Sequence, residues 1–432
     1  QGLIQPAMLA HRVSHDCWRT GCWPEQADGA YTIEPRRDAR RLARAKYAQR
    51  HVCDVDRHGK SVEASLSHWR QLSADRLSSA IEAAAPWNAT VLVAIRANTL
   101  YADTSRLVAG RQYWEEMQEQ LVDLLALVKV PDVAFVLSLN DGAVVSLAKH
   151  GSPPPAILSL TGSVEHADVL VPGPHLLQWA RRRPVFLQSI GEGLDEWGEH
   201  AWPTDGRSWA EKVPRLFWRG TNSFARRRRS GAAECVGPSF LDNCTARAIL
   251  VAASLRSPDI IDAGFASFTP WDHCLCGTPY ADVKAATARP HLAMDDQQAY
   301  RYLASVDGYT AAWRLARLLS LGSLVFKQDS HYAEFYYGWL SPWAHYVPLA
   351  EDLADLTPRL EWAREHDDEA ASIAARAQRF VREALSLEQL RCYWAQLLEG
   401  YAALQEGLAL PVEFSRIFEY PVRADAFVCE QN

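Results

Sequence analysis

Asp141 is a candidate for catalysis because it closely follows an apolar run with the composition of a buried strand. Residues 132–139 are almost continuously apolar, which predicts a parallel strand covered on both faces. A carboxylate at the carboxyl end of such a strand points into the crevice where open α/β sheets bind ligands. There it can accept the proton of an attacking hydroxyl. The competing interpretation is that Asn-Asp-Gly at 140–142 is simply a turn.

Arg314 is a candidate for binding an anion, because it belongs to a predicted strand–helix–strand unit. Strand 302–306 leads into the turn Asp307-Gly308, and apolar residues at three- and four-residue steps then predict a helix that ends at Gly322. The N-terminus of such a helix attracts anions. Arg314 lies about one turn inside this helix, so its guanidinium can reach a diphosphate at the Gly308 turn. An ion pair on the helix surface is the competing interpretation.

A second group of basic residues follows the predicted strand 216–218. Residues 219–221 are Arg-Gly-Thr, and a glycine allows the backbone to approach a phosphate closely. Arg247 begins the predicted helix 247–258. The run of four arginines at 226–229 is more typical of a solvated loop.

Asp54-Val55-Asp56 has the acid-x-acid pattern of metal sites in many sugar-nucleotide transferases. No apolar strand precedes it, so a solvated turn is the favoured interpretation, and no metal site is predicted at this position or elsewhere in the chain. A metal-dependent transferase that uses Asp54 and Asp56 remains an alternative.

The elements that must position these residues alternate along the first half of the chain. Strands are predicted at 90–95, 132–139, 156–160 and 185–190, with a helix at 111–129, and this alternation predicts a parallel sheet with helices on both faces. The second half starts with strand 216–218, helix 246–255 and strand 260–262. Helices occupy 351–406, and the last, 387–405, is expected to cross back onto the first domain.

Composition limits the possible partners and compartments. The net charge of −7 argues against nucleic acid as the main partner, and no apolar run is long enough to span a bilayer. The chain starts at Gln1 without a signal peptide, which suggests a trimmed lumenal fragment. Asn88 and Asn243 begin N-glycosylation sequons, which have meaning only in a secretory compartment. Nine cysteines are an odd number, so at least one is unpaired or pairs with another chain. Two spacings could close small loops, although connectivity cannot be derived: Cys17/Cys22 and Cys235/Cys244.

The segment DGYTAAWRLARLLSLGSLVFK, from Asp307 to Lys327, together with Glu334, Trp339 and PWAHYVPL at 342–349, resembles glycosyltransferase family 90. This family includes protein O-glucosyltransferases and fungal capsule-associated xylosyltransferase-like proteins. The resemblance extends over roughly 90–400. It implies an α/β fold of the GT-B type, in which two Rossmann-like domains face a cleft. The expected parts are an irregular N-terminal wrap at 1–60, an acceptor-side domain at 61–210, a UDP-sugar-binding domain at 211–385 and a C-terminal helix at 386–432.

The resemblance also implies a role for each candidate residue. Asp141 matches the family's catalytic base, although Asn140 and Gly142 differ from the residues that flank this base in the animal enzymes. Arg247 matches an arginine that binds the diphosphate, and with Arg314 it would stabilise the leaving UDP without a metal. The remaining residues expected to bind the donor are Arg219, Gly220, Thr221, Asp307, Gly308, Tyr309, Thr310, Ala311, Ala312 and Glu334.

The resemblance therefore implies an inverting glycosyltransferase that moves glucose or xylose from UDP-glucose or UDP-xylose to a hydroxyl of a protein serine or of a glycan. No cofactor is expected besides the donor substrate, and the expected compartment is the lumen of the endoplasmic reticulum or Golgi. A non-catalytic nucleotide- or carbohydrate-binding protein on the same scaffold is the main alternative.

Overall fold

The computed structural model describes residues 53–176, 206–223, 245–268, 280–405 and 422–423. All of them belong to one compact unit, Ala43–Asn432. The predicted strand at 185–190, the arginine run at 226–229, Asn243 and the four cysteines considered for pairing lie outside the described residues.

Helices and strands alternate along much of the part of the chain that the structure describes. The helices are α1 (Val55–Leu66), α2 (Ala74–Ala84), α3 (Arg111–Leu127), α4 (Leu147–His150), α5 (Ala246–Arg256), α6 (Tyr280–Thr287), α7 (Leu315–Ser320), α8 (Leu356–Glu365), α9 (Asp367–Ala384) and α10 (Leu387–Ala403). The strands are β1 (Thr90–Arg96), β2 (Thr99–Asp103), β3 (Val133–Ser138), β4 (Ile157–Ser159), β5 (Gly162–Ser163), β6 (Val169–Leu170), β7 (Val213–Thr221), β8 (Ile261–Ser267), β9 (Tyr300–Ser305), β10 (Leu324–Gln328), β11 (Tyr332–Ala333), β12 (Val347–Leu349) and β13 (Val422–Arg423).

The first sheet is mixed, which corrects the prediction of a purely parallel sheet. Its strand order is β13-β2-β1-β3-β4-β6, and β1 is antiparallel to both β2 and β3. The cause is a hairpin that the sequence prediction missed. Ala97 and Asn98 have φ values of 47° and 61°, the conformation of a two-residue type I′ turn, so Arg96 pairs with Thr99. Strands β3, β4 and β6 are parallel, so their carboxyl ends lie at one edge.

The second sheet is parallel throughout, with the order β12-β10-β9-β7-β8. Strand β7, which lies between β9 and β8, contains Leu216, Phe217 and Trp218, all buried, as the apolar run predicted. Such double-sided burial is typical of parallel strands covered by helices on both faces. The carboxyl ends of β7, β8 and β9 carry the polar segments that form the candidate site.

The helix predicted to begin just after Gly308 begins only at Leu315, so the placement of Arg314 inside that helix was wrong. Arg314 is the residue before the first helical turn. The physical reason is that the Asp307 carboxylate accepts a hydrogen bond from the Ala312 amide at 2.9 Å, which holds 307–312 in a turn instead of a helix.

Helix α10 packs on the first sheet. The Gln405 side chain, just beyond its end, accepts from the Ala134 amide at 3.0 Å and donates to the Ala134 carbonyl at 2.6 Å. The Tyr401 hydroxyl donates to the Ala156 carbonyl at 3.1 Å. A disulfide joins Cys53, just before α1, to Cys392 in α10, which is a pair that the sequence spacing did not suggest.

One hydrophobic cluster extends through both sheets, from Val91 in the first to Leu303 in the second. The mixed α/β architecture with parallel strands is therefore established, while the GT-B arrangement and the domain boundaries stay predictions. None of the described helices has the length and apolar composition needed to cross a bilayer.

Candidate active site

A cavity of about 570 Å³ lies where residues from the carboxyl edges of both sheets meet. Its wall includes most of the predicted site residues, namely Asp141, Arg219, Gly220, Thr221, Arg247, Gly308, Tyr309, Thr310, Ala311, Ala312 and Arg314. Asp307 and Glu334 are not among the residues that line it.

Asp141 is exposed to this cavity on the loop after β3. The turn interpretation and the catalytic one are compatible, because Asn140 closes the turn by donating to the Gly142 carbonyl at 2.9 Å. Desolvation by the cavity walls raises the pKa of Asp141, while the Thr310 hydroxyl, Arg247 and His175 act in the opposite direction. A carboxylate with a raised pKa is a stronger base than an ordinary surface aspartate.

Arg247 lies in the first turn of α5 and is buried. Its Nη1 donates to the Thr221 carbonyl at 2.9 Å and to Ser223 Oγ at 2.7 Å, and the guanidinium lies 5.6 Å from the Trp218 ring centroid. Burial and the nearby charge of Arg314 lower the pKa of Arg247 to about 9.

Arg314, which lies just before α7, approaches the Trp218 indole that Arg247 also contacts. Its guanidinium lies 5.9 Å from the Trp218 ring centroid and donates to the Arg219 carbonyl. Burial lowers the pKa of Arg314 to about 10, which leaves it charged at neutral pH. Within the described parts of the chain, neither Arg314 nor Arg247 forms an ion pair with a carboxylate. Two adjacent guanidinium groups without a direct ion pair, Arg247 buried and Arg314 half-buried, make this end of the cavity suitable for a diphosphate.

Gly308 and Gly220 make room for side chains at the arginine end of the cavity. A Cβ at Gly308 would lie 2.7 Å from Arg247 Nη2, whereas a Cβ at Gly220 would lie 2.5 Å from Trp218 Cζ2 and 3.2 Å from Arg314 Nη2. Gly308 thus leaves space for a guanidinium, and Gly220 leaves space chiefly for the Trp218 indole. The close approach of the backbone to a phosphate that the sequence suggested stays a prediction.

The side chain of Arg219 bonds to Asp262 in β8 and not to the other arginines of the site. Its Nη2 donates to Asp262 Oδ1 at 2.6 Å and its Nη1 to the Asp262 carbonyl at 2.8 Å, while the guanidinium lies 4.5 Å from the Phe217 ring centroid. The neighbouring Thr221 hydroxyl shares a hydrogen bond of 2.6 Å with Ser267 Oγ at the end of β8. Arg219 therefore ties β7 to β8, and its polar hydrogens are used within the protein.

Asp307 and Glu334 lie behind the cavity wall. The Asp307 carboxylate accepts from the Ser330 hydroxyl and the Ala312 amide, and burial raises its pKa. Glu334 is buried with 2% exposure, and its Oε2 lies 2.9 Å from His175 Nε2. Burial also raises the pKa of Glu334, which the adjacent His175 opposes. Both carboxylates support the wall from behind.

Sequence reasoning missed His175, Trp313 and Tyr113. His175 lines the cavity and stacks on Trp313 with ring centroids 5.0 Å apart and an interplanar angle of 15°. Tyr113 contacts the same indole edge-on at 5.4 Å, and burial together with the charge of Asp141 raises the pKa of Tyr113. His175 had a usable signal, because like Asp141 it follows a strand, β6, that ends at the same sheet edge.

The remaining predicted residues lie away from the cavity. Asp54 caps α1 by accepting from the Arg57 amide at 3.0 Å, which accounts for one acid of the Asp54/Asp56 pair. In the part of the chain that the structure describes, no three histidine, cysteine, aspartate or glutamate residues are grouped as metal ligands. Asn88 is exposed, with φ of 52°, and the Thr90 hydroxyl of its sequon donates to the Ala84 carbonyl at 3.1 Å.

Comparison with known proteins gives consistent similarities. The sequence profile of "Glycosyl transferase family 90" matches residues 52–407. "Protein O-glucosyltransferase 2" of Danio rerio is 29% identical over 78% of this chain and 59% of its own length. "Protein O-glucosyltransferase 3" of Homo sapiens is 32% identical over 67% of this chain and 50% of its own, and "Protein O-glucosyltransferase 1" of Homo sapiens is 26% identical over 63% of each. The chain thus spans about half to three fifths of the length of these relatives.

Proposed function

Because this chain belongs to glycosyltransferase family 90, we propose that it is an inverting glycosyltransferase that moves glucose or xylose from a UDP-sugar to a hydroxyl group. The names of its relatives favour glucose as the sugar and a protein as the acceptor. We propose a serine hydroxyl as the protein acceptor, and a glycan is the other acceptor class. The observation that carries the proposal is a cavity with a carboxylate on one wall and, on another, the buried Arg247 and the half-buried Arg314, neither of which forms a direct ion pair with a carboxylate of the described residues.

The arginine end of the cavity would hold the diphosphate of the donor. Arg247 and Arg314 supply fixed positive charge where the leaving group develops negative charge, and the desolvation of both guanidinium groups strengthens that interaction. These two cations would take the place that a metal ion occupies in other sugar-nucleotide transferases. The cavity volume of about 570 Å³ falls in the range of about 300–1,000 Å³ usual for small-molecule sites.

Asp141 would act as the general base. It accepts the proton of the acceptor hydroxyl while the oxygen forms a bond to the anomeric carbon. The bond from that carbon to the phosphate oxygen breaks, and its electron pair leaves with UDP. Attack from the face opposite the leaving group inverts the anomeric centre, so an α-linked donor yields a β-linked product.

The scaffold and compartment belong to the same proposal. A parallel sheet that presents an arginine site at its carboxyl edge supports a GT-B arrangement with the base on the other lobe. The disulfide Cys53–Cys392 supports an oxidising compartment, in this case the lumen of the endoplasmic reticulum or Golgi.

The direct test measures UDP release from a panel of UDP-sugars by the wild-type protein and by Asp141→Asn. We expect release with UDP-glucose or UDP-xylose, a decrease of about 10²–10⁴-fold in kcat for the variant, and unchanged UDP affinity by calorimetry. Asp132→Asn is the matched control, because Asp132 immediately precedes the same strand β3 but is exposed outside the cavity.

The outcomes separate the competing functions. UDP binding without turnover of any donor would favour a non-catalytic binding protein. Turnover that persists in Asp141→Asn would remove this carboxylate from the mechanism. Loss of turnover in chelator would favour the metal-dependent alternative, whereas turnover that survives chelator supports the role of the arginines.

A further inference from the structure

Three contacts join segments that follow strands of the first sheet to segments that follow strands of the second. Strand β11 pairs antiparallel with β5, through Tyr332 with Ser163. The Trp313 indole donates to Thr161 Oγ1 at 3.0 Å. The third contact is the bond of 2.9 Å between His175 Nε2 and Glu334 Oε2. The second and third involve side chains of the cavity wall itself.

The position of His175 is determined on two sides. One face of its ring is stacked on Trp313, and its Nε2 is bonded to a glutamate whose side chain is only 1% exposed. A buried carboxylate is costly unless a cation or hydrogen-bond donor compensates it, and the His175 imidazole is the partner that lies within hydrogen-bond distance of Glu334 Oε2. The groups around Glu334 are Tyr336, Tyr337, Asp307 and Lys327.

His175 is one of the groups that surround the proposed base. Asp141 interacts with the Thr310 hydroxyl, the Arg247 guanidinium and the His175 imidazole, and it acts in turn on Tyr113. Arg247 is shared with the diphosphate site, and Thr310 is neutral. Among these three groups, His175 is therefore the one that can serve the base alone.

We propose that His175 is a positioning residue for the transfer reaction, held by Glu334 and Trp313 so that its imidazole stabilises the ionised form of Asp141 and fixes the base relative to the arginine end of the cavity. This inference rests on the proposed function. It assigns Glu334 to the support of the base, and this differs from the donor contact that the sequence suggested for it.

The test compares two variants. Glu334→Gln keeps the shape and the hydrogen bond to His175 but removes the negative charge. The double variant His175→Phe/Glu334→Gln keeps a ring stacked on Trp313 and leaves no uncompensated buried carboxylate, so it is expected to fold. His150→Phe is the control, because His150 is also partly buried and has its ring nitrogen 3.0 Å from the Ser146 carbonyl, away from the cavity.

We expect both variants to shift the acidic limb of the pH profile of kcat/KM upward, by about half a unit to one unit. At a pH below that limb, kcat should decrease by up to about tenfold, because one unit of pKa corresponds to a tenfold change in the ionised fraction. The KM for the donor should change less than twofold, since the arginines carry donor binding. His150→Phe should reproduce the wild-type profile.

A folded variant with the wild-type pH profile and kcat would overturn the inference while leaving the proposed function intact. So would a variant in which only the melting temperature decreases, because this indicates a purely structural role. Absence of turnover by the wild-type protein with every donor would overturn the proposed function and the inference together.

Discussion

At the scale of single residues, the protonation state of Asp141 sets the pH range in which the proposed reaction can proceed. The cavity walls raise its pKa, and the acid form cannot accept a proton. As pH decreases through the raised pKa of Asp141, its ionised fraction and kcat/KM decrease together. On acidification, activity should therefore be lost at a higher pH than it would be if the base were an aspartate with an ordinary pKa.

Thr310→Val tests this dependence. The Thr310 hydroxyl donates to the Asp141 carboxylate and lowers its pKa, so the removal of the hydroxyl should raise the pKa further. We expect the acidic limb of kcat/KM to move upward by several tenths of a unit to about one unit, with little change in folding because valine has nearly the same shape. An acidic limb that stays in place would contradict the assigned contact.

His58 provides a second prediction, on stability. Its ring is buried, with no hydrogen-bond partner for either nitrogen among the described residues, and packs against Trp339 at 5.3 Å and Tyr393 at 6.0 Å. Burial lowers its pKa from 6.5 to about 4, so the unfolded chain binds more protons than the folded protein between these values. The free energy of unfolding should thus decrease as pH falls from 6.5 to about 4.

The measurement is the melting temperature as a function of pH for wild type and His58→Phe. In His58→Phe, the free energy of unfolding should decrease less between pH 6.5 and about 4 than in wild type. The difference that the histidine causes is on the order of 3 kcal/mol at the lower end of this range. His68→Phe is the control, because His68 is exposed next to Trp69. Equal slopes for wild type and His58→Phe would contradict the burial of a neutral imidazole.

Some residues of the candidate site could be predicted from the sequence, and others could not. Asp141 and Arg247 follow or begin regular elements, and their positions at strand ends and helix starts are visible in the local pattern. His175 and Trp313 obtain their roles from contacts with Glu334 and Thr161, which are 159 and 152 positions away in the chain. No local pattern encodes such pairs.

At the scale of elements, the turn between β9 and α7 organises the arginine end of the cavity. Asp307 holds this turn from behind, and Gly308 leaves the space that Arg247 occupies. The helix that follows is short, six residues from Leu315 to Ser320, so the turn carries more of the site than a helix N-terminus does.

Gly308→Ala tests this arrangement. The added Cβ would lie 2.7 Å from Arg247 Nη2 and 3.0 Å from its Cζ, so the guanidinium must move. We expect UDP affinity to decrease by about tenfold or more, measured by calorimetry, since a displaced charge-assisted contact is worth about 1.5–3 kcal/mol. The control is Gly338→Ala, because a Cβ at Gly338 would meet nothing within 4 Å.

If Gly308→Ala binds UDP as tightly as the control does, Arg247 does not contact the diphosphate. A decrease in melting temperature of similar size in both variants would indicate a general effect of alanine and would not bear on the site.

The predictions of regular elements were correct where burial is continuous. They were wrong where a local contact overrides the periodicity of apolar residues. Strands β1 and β3 and helix α3 appear close to their predicted limits. The hairpin at Ala97-Asn98 was missed because its turn lacks glycine, and the start of α7 was wrong because a side-chain carboxylate competes for a backbone amide.

At the scale of the whole molecule, the ends of the described chain are fastened to each other and to the first sheet. The disulfide Cys53–Cys392 joins positions 339 residues apart, and α10 is bonded to β3 through Gln405. The sequence could not identify this pair, because nine cysteines allow many connectivities and loop length does not select among them.

The double variant Cys53→Ser/Cys392→Ser should be less stable by about 2–5 kcal/mol, because the disulfide restricts the unfolded chain over a long loop. We expect a decrease of several degrees in melting temperature by calorimetry, with UDP affinity at room temperature unchanged because both cysteines lie outside the cavity wall. An unchanged melting temperature would show that the bond does not form in the protein.

The return of α10 to the first sheet makes the layer that packs around this sheet discontinuous in sequence. The polypeptide leaves the first sheet after β6, forms the second sheet, and comes back with α10. A cut at one peptide bond near residue 210 would consequently separate the first sheet from a helix that covers it. Two fragments expressed apart would be expected to regain this packing only when they are mixed.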